Sequence, residues 1–218
     1  MSEASVLVEA CVTSPEEAAA CFNAGADRVE LCQDLSIGGL TPPTSDVTTV
    51  LSNEPGPTFV LVRPHADSFR LTPTEVDALA DTVASLVQLG ADGVVIGMLD
   101  EDGRIDRAAV EEVVQAADGR PVTFHRAFDE VDDPLTEVNS LIRAGVSRVL
   151  TSGGADTAWQ GRETLRALVE TCGDDLTVLG GGRIRGDHVR PLVEATGLTE
   201  VHARASAIPD LIAGLEAS

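Results

Sequence analysis

Short apolar runs and amphipathic helical patterns alternate eight times along this chain of 218 residues. The apolar runs, which are typical of buried strands, lie at 5–11, 27–32, 58–62, 92–97, 121–125, 147–151, 176–179 and 198–202. The helical patterns lie near 14–24, 43–52, 73–89, 106–117, 134–144, 159–171, 186–195 and 206–216. Eight such units predict a TIM (β/α)8 barrel, with 1–218 as a single domain. A doubly wound open sheet is the alternative, but it usually has fewer strands.

Local signals support these boundaries. Ser14-Pro15-Glu16-Glu17 and Thr72-Pro73-Thr74-Glu75 combine an N-cap residue, a proline at the first helical position and a capping-box acid. Gly25, Gly90 and Gly145 stand where a helix must end before the next strand begins. We therefore expect short helix-to-strand loops throughout the chain.

The composition excludes several classes of function. A net charge of −21 and a lack of tyrosine argue against contacts with nucleic acid or with an anionic membrane. The sequence contains no lysine, so Schiff-base aldolase and pyridoxal-phosphate chemistry, which need a lysine amine, are excluded. The excess of Asp and Glu without Lys favours a halophilic, acidic proteome over a GC-rich genome that prefers Arg codons.

The cysteine content indicates a reducing compartment. The four cysteines form no Cys-x-x-Cys pair, and the polar start of the chain shows no signal peptide or long apolar segment. We expect a cytoplasmic protein. The sequence is compatible with a monomer or a homo-oligomer.

Two strands end with the same Glu-x-Cys pattern. Val8-Glu9-Ala10-Cys11 is followed by Val29-Glu30-Leu31-Cys32. Residues two apart in a strand point to the same face, so each copy places a carboxylate and a thiol together. Active sites of TIM barrels lie at these C-terminal strand ends. We therefore expect the functional site here.

The two thiols are candidate metal ligands. Cys11 and Cys32 come from neighbouring strands and are expected to face the barrel axis, where two thiolates suit a soft metal of low coordination such as Cu(I). Zinc would require four ligands. The alternative is that both are small buried apolar residues, the usual role of a free cysteine. Cys21 and Cys172 fall in helices and are expected to be inert.

Charged residues at the same rim are candidates for catalysis and for anion binding. Glu9, Glu30 and His125 are candidate proton donors and acceptors. Arg63 and Arg126 are suited to bidentate binding of an anion. The alternative is a closed Glu–Arg network that only fixes the barrel mouth.

The last strands add further candidates for binding an anion or substrate. Gly180, Gly181 and Gly182 follow strand 7, and barrels often bind phosphate at the loops after strands 7 and 8. A tight strand-to-helix turn is the alternative explanation of the glycines. Ser152, after strand 6, and His202, at the end of strand 8, complete the set.

Together these strand-end segments resemble the CutC family of copper homeostasis proteins. The matching segments include Val8–Cys11, Ala24–Cys32, Gly38–Pro42, Val62–Pro64, Thr123–Asp129, Leu150–Gly153, Gly180–Gly182 and Val201–Ala203. The resemblance implies a cytoplasmic TIM barrel with copper as its ligand, held as Cu(I) by Cys11 and Cys32. A TIM-barrel enzyme of unknown reaction, acting on a small anionic or sugar-like substrate at the mouth, remains the alternative.

Overall fold

Eight parallel strands close into a barrel in chain order, with the first strand hydrogen bonded to the last. The structure is a computed structural model that describes residues 6–53 and 55–217. The strands are β1 (Leu7–Val12), β2 (Arg28–Leu31), β3 (Thr58–Leu61), β4 (Gly93–Ile96), β5 (Val122–Phe124), β6 (Arg148–Thr151), β7 (Thr177–Gly180) and β8 (Glu200–Arg204). The predicted TIM barrel is confirmed.

A helix follows each strand and covers the outside of the barrel. The helices are α1 (Pro15–Asn23), α2 (Thr44–Asn53), α3 (Pro73–Leu89), α4 (Arg107–Ala116), α5 (Pro134–Ala144), α6 (Arg162–Cys172), α7 (Val189–Thr196) and α8 (Ile208–Glu216). Thr72 and Glu75 form the predicted capping box at α3. At α1, Ser14 caps the helix as expected, but the Glu17 carboxylate accepts hydrogen bonds from Thr13 instead.

Successive side chains of each strand point to opposite faces of the barrel wall, so the buried residues form two separate cores. Val8, Ala10 and Val12 belong to the large apolar core between strands and helices. Inside the barrel, the apolar cluster is small and consists of Cys11, Cys32, Phe59, Leu61 and Val95. The barrel interior is therefore mostly polar, which is costly unless the polar groups pair with one another.

The register of the first two strands decides which inward side chains meet. In the ladder between β1 and β2, Glu9 lies opposite Arg28 and Cys11 lies opposite Glu30. On the other side of β1, Glu9 lies opposite His202. The two Glu-x-Cys copies are thus shifted by two residues relative to each other, so that a thiol of one copy faces the carboxylate of the other.

No helix among the described residues combines the length and the apolar character needed to cross a membrane.

Candidate functional site

A cavity of about 930 Å³ opens at the C-terminal ends of the strands, where the sequence predicted the site. We call it the mouth cavity. The predicted site residues that line it are Cys11, Glu30, Arg63, His125, Arg126, Gly182 and His202. Those that do not line it are Glu9, Cys32, Ser152, Gly180 and Gly181.

Of the two candidate metal ligands, Cys11 lines the floor of this cavity and Cys32 is buried directly beside it. The Cys11 and Cys32 sulfur atoms are 3.7 Å apart, and both side chains are buried. Cys11 also donates to a Glu30 carboxylate oxygen at 3.9 Å. The ligand atoms of Cys11, Glu30 and Cys32 all lie within 4.8 Å of one another. Two sulfurs and one oxygen in this space fit a single soft metal ion.

The Cys11 thiol is held in its protonated form. Its hydrogen bond with Cys32, its burial and the negative charge of Glu30 all raise its pKa well above the ordinary value of 9.0. A metal ion that binds here must therefore displace a proton.

Glu30 is a buried carboxyl group that lacks a cationic partner in hydrogen-bonding contact among the described residues. Burial raises the pKa of Glu30 to about 7, and the nearby charge of His202 only partly opposes that rise. Its Oε2 atom is buried and makes no hydrogen bond to any described residue. Glu30 can therefore exchange a proton near neutral pH, as a general acid or base must.

Glu9, in contrast, is fixed by ion pairs beneath the cavity. It accepts hydrogen bonds from Arg28 and, at 2.8 Å, from His202. Burial disfavours its charge, but the His202 hydrogen bond and the Arg28 charge outweigh burial and lower the pKa of Glu9 to about 2. The same bond to Glu9 raises the pKa of His202 despite burial. Glu9 is thus part of a closed Glu–Arg network, which is the alternative that the sequence analysis set beside a catalytic role.

This network continues across the barrel interior. Arg28 donates to Glu200 at 2.6 Å, and Arg148 donates to the same carboxylate at 3.2 Å. The two guanidinium groups each lie 4.9 Å from the centre of the Phe59 ring. Each guanidinium group therefore makes a favourable cation–π contact with Phe59, and both bond to Glu200.

His125 is a neutral histidine in an aromatic niche. Its Nδ1 atom accepts from the Ala127 backbone N–H at 3.1 Å, and its ring lies 5.1 Å from that of Phe69. Burial, helped by the charge of Arg63, lowers the pKa of His125 to about 3. Gly97 makes room for the ring, since a Cβ atom there would lie 2.1 Å from His125 Cε1.

The Arg63 side chain is buried and links two loops by hydrogen bonds. It donates to the carbonyl oxygens of Ile37, Gly39 and Ala66 at 3.1–3.3 Å. Its guanidinium also lies 4.8 Å from the centre of the Phe69 ring. Most of its N–H groups are therefore already occupied.

Arg126 is positioned by Asp129 and Ser152. It donates to Asp129 at 2.7 Å and to the Ser152 hydroxyl at 3.0 Å. Asp129 also accepts from the backbone N–H groups of Ser152 and Gly154. Ser152 is fully buried, so it supports Arg126 rather than contacting the cavity itself.

Two residues of the glycine triplet, Gly180 and Gly181, are closely packed or hydrogen bonded within the protein. The Gly181 N–H donates to the Thr151 carbonyl oxygen at 2.9 Å, so it is not free for a ligand. A Cβ atom at Gly180 would lie 2.5 Å from Leu198. Of the three glycines, Gly182, with φ of +106°, is the one that reaches the cavity.

Several cavity residues were not predicted as site residues from the sequence. They include Asp129, Glu130 and Asp156, together with Arg183, Arg185 and Arg204. Asp129 could have been found as the acid three positions after Arg126. Arg183 and Arg204 could have been found as cations that follow the glycine triplet and strand 8.

Comparison with known proteins identifies relatives across nearly the whole chain. A family model described as the CutC family matches residues 6–207. A family protein CutC from Pasteurella multocida is 40% identical over 195 residues, which cover 89% of this chain and 80% of the relative. The copper homeostasis protein cutC homolog of Homo sapiens is 37% identical over 204 residues, which cover 94% and 75%.

A solved structure agrees with this relationship. A crystal structure of a putative copper homeostasis protein CutC from Streptococcus agalactiae superposes with a TM-score of 0.85 and 26% sequence identity. The superposition covers 92% of this chain and 98% of the other.

Proposed function

The chain belongs to the CutC family, and from that membership and the geometry of the mouth we propose that it binds copper as Cu(I) through Cys11 and Cys32. The observation that carries the proposal is the distance of 3.7 Å between the two sulfur atoms at the cavity floor. At this separation one metal ion can contact both sulfurs after only small side-chain movements.

The donor set favours Cu(I) over other common metals. Thiolates are soft ligands and select Cu(I), whereas Mg²⁺, Ca²⁺ and Mn²⁺ prefer oxygen. A structural zinc site needs four protein ligands. The cluster of Cys11, Glu30 and Cys32 offers two sulfurs and one oxygen. In this function copper is the cargo of the protein, and it enters from the mouth cavity, which Cys11 lines.

The test is a titration of reduced protein with Cu(I) against a chromophoric Cu(I) chelator. We expect one Cu(I) per chain, and a loss of binding in the Cys11→Ser plus Cys32→Ser variant. The matched control is Cys21→Ser plus Cys172→Ser, which also removes two buried thiols, but from α1 and α6. Unchanged Cu(I) affinity in the first variant would refute the proposal, and single Cys→Ala variants guard against misfolding.

The setting that we propose for this function is a reducing cytoplasm. Support comes from the four free cysteines, which would be oxidised more readily elsewhere. The 36 acidic residues against 15 basic ones support a halophilic source, in which high salt screens carboxylate repulsion.

A second candidate function is an enzyme acting on a small anionic or sugar-like substrate. Three buried polar atoms on residues that line the mouth cavity make no hydrogen bond to a described residue: Glu30 Oε2, Arg63 Nε and His125 Nε2. Glu30 Oε2 and His125 Nε2 are the observation that favours this function. A copper site formed by Cys11, Cys32 and Glu30 does not use the His125 Nε2 atom. In this function Glu30 transfers a proton, and His125 contacts the reacting group.

The enzyme function is tested by incubating the protein with sugar phosphates and small organic acids and following the products by NMR. Turnover that disappears in Glu30→Gln would support it. An absence of turnover for every compound, with the protein shown to be folded, would count against it.

A further inference from the structure

Three arginines at or just after the ends of β7 and β8 line the mouth cavity. Arg183 and Arg185 follow β7, and Arg204 ends β8. Within the described part of the chain, none of the three forms an ion pair with a carboxylate. Five arginines and four carboxylates line the cavity in a chain with a net charge of −21, so these three cations without an ion pair indicate a site for an anion.

The loop after β7, which carries Arg183, has an unusual backbone conformation and is hydrogen bonded to the loop after β6. Arg183 has a φ of +57°, which is uncommon for a residue with a side chain, and it follows Gly182 with a φ of +106°. The Ala158 N–H donates to the Gly182 carbonyl oxygen at 2.9 Å and ties this loop to the one after β6. The backbone at Arg183 is therefore held by contacts between two loops, and its side chain is exposed.

A second, independent observation comes from His125. Its Nδ1 atom accepts a backbone hydrogen bond, so in the neutral ring the proton must lie on Nε2. That Nε2–H donor is buried, belongs to a residue that lines the cavity and has no partner among the described residues. A buried donor without an acceptor is costly, and a ligand oxygen would satisfy it.

Combining the two observations, we propose that the mouth cavity binds a phosphorylated sugar-sized molecule. Arg183 and Arg204 hold the phosphate, and His125 Nε2–H donates to a carbonyl or hydroxyl oxygen of the sugar part. This inference rests on the second candidate function and names the class of its substrate. It makes His125 a hydrogen-bond donor to the ligand rather than a proton carrier.

The size and charge of the site favour this class over other anions. A volume of about 930 Å³ is in the range of cavities that enclose a small organic ligand and is far more than a free phosphate ion fills. Planar guanidinium groups match phosphate oxygens in pairs. Nucleic acid and anionic membranes would be repelled by the rest of the acidic surface.

The test is isothermal titration of the metal-free, reduced, full-length protein. The probes are glyceraldehyde 3-phosphate, ribose 5-phosphate and glucose 6-phosphate, each compared with its unphosphorylated form and with inorganic phosphate. We expect at least one sugar phosphate to bind more than about tenfold tighter than both reference compounds. If none of the three binds more tightly than inorganic phosphate, the inference is overturned.

Three variants test which residues contact the phosphate and which contact the sugar part of the ligand. Arg183→Gln plus Arg204→Gln should weaken the sugar phosphate at least about tenfold. The matched charge control is Arg107→Gln plus Arg166→Gln, which removes two exposed arginines paired with Glu111 on α4 and Glu170 on α6, and it should bind as wild type. His125→Asn keeps an acceptor for the Ala127 N–H but removes the Nε2–H donor. It should weaken the sugar phosphate and leave inorganic phosphate unaffected.

Other outcomes are equally decisive. Equal losses in Arg183→Gln plus Arg204→Gln and in Arg107→Gln plus Arg166→Gln would show a general charge effect and contradict the site. Binding that responds as expected, without turnover, would support this inference while contradicting the enzyme function. The Cu(I) titration is a separate measurement, so failure of the copper proposal would leave this one standing.

Discussion

Cys11 Sγ lies 3.7 Å from Cys32 Sγ, although in the β1–β2 ladder Cys11 is opposite Glu30 and not opposite Cys32. The thiols therefore meet diagonally, and the Glu30 carboxyl lies beside both of them. This one relationship places the candidate metal ligands and the candidate acid–base group at the same point of the cavity floor.

The raised pKa of Glu30 predicts a specific pH dependence of stability. The folded-state pKa of about 7 exceeds the ordinary 4.5, so between these values the folded state holds a proton that the unfolded state has lost. The contribution of Glu30 is thus present below pH 4.5 and is lost as pH rises through 7. From pH 4.5 to 6.5, wild type should lose about 2–3 kcal/mol relative to Glu30→Gln. Urea unfolding at fixed salt measures this difference, and parallel pH profiles would contradict it.

The lowered pKa of His125 predicts that stability changes with pH in the opposite direction over the same pH interval. Its folded-state pKa of about 3 lies below the ordinary 6.5, so the unfolded state binds a proton first as pH falls. Relative to His125→Asn, wild type should therefore lose about 2–3 kcal/mol when the pH is lowered from 6.5 to 4.5. The same unfolding experiment measures it. A wild-type protein that gained stability on acidification relative to this variant would show that the imidazole is charged when folded.

Gly97 should resist substitution because of His125. A Cβ atom at position 97 would lie 2.1 Å from the imidazole, so Gly97→Ala should cost about 1–3 kcal/mol of stability. In a His125→Asn background the clash is relieved and the cost should fall below about 1 kcal/mol. A thermal unfolding cycle of the four proteins measures the coupling. Additive effects would mean that the ring does not occupy this niche.

The buried ion pairs beneath the cavity should be sensitive to the loss of one partner. Arg28→Met leaves Glu9 and Glu200 each without one cationic partner and should cost about 3–5 kcal/mol. The matched control is Arg107→Met, which breaks an exposed pair with Glu111 and should cost less than about 1 kcal/mol. Chemical denaturation measures both, and equal costs would contradict a structural role for the interior network.

The fold was predictable because the relevant signals are local. Helix α3 and helix α5 begin and end at the predicted residues, where prolines, caps and glycines mark the boundaries. Helices α6 and α7 begin three residues later than predicted, at Arg162 and Val189. The preceding residues are held in loops by long-range contacts, such as that of the Gly186 N–H with Asp210. Such contacts leave no periodic signal in the sequence.

The site was predictable only in part, for a similar reason. Strand alternation was enough to place Cys11 and Glu30 on the inner face. The register between β1 and β2 cannot be read from the strand patterns, so the paired Glu9 and the unpaired Glu30 looked alike. One partner that distinguishes them is distant in sequence, since His202, which donates to Glu9, lies 193 residues along the chain. Only the folded barrel brings these charges together.

The central claim is that Cys11 and Cys32 together hold one Cu(I), and X-ray absorption at the copper edge tests it most directly. For reduced wild type loaded with one Cu(I), we predict a first shell containing two sulfur atoms. The sulfur shell should persist in Cys21→Ser plus Cys172→Ser and should fall to one sulfur when Cys11 or Cys32 alone is replaced by alanine. A shell of nitrogen and oxygen atoms in wild type, or a spectrum unchanged by the Cys11 and Cys32 substitutions, would contradict the claim.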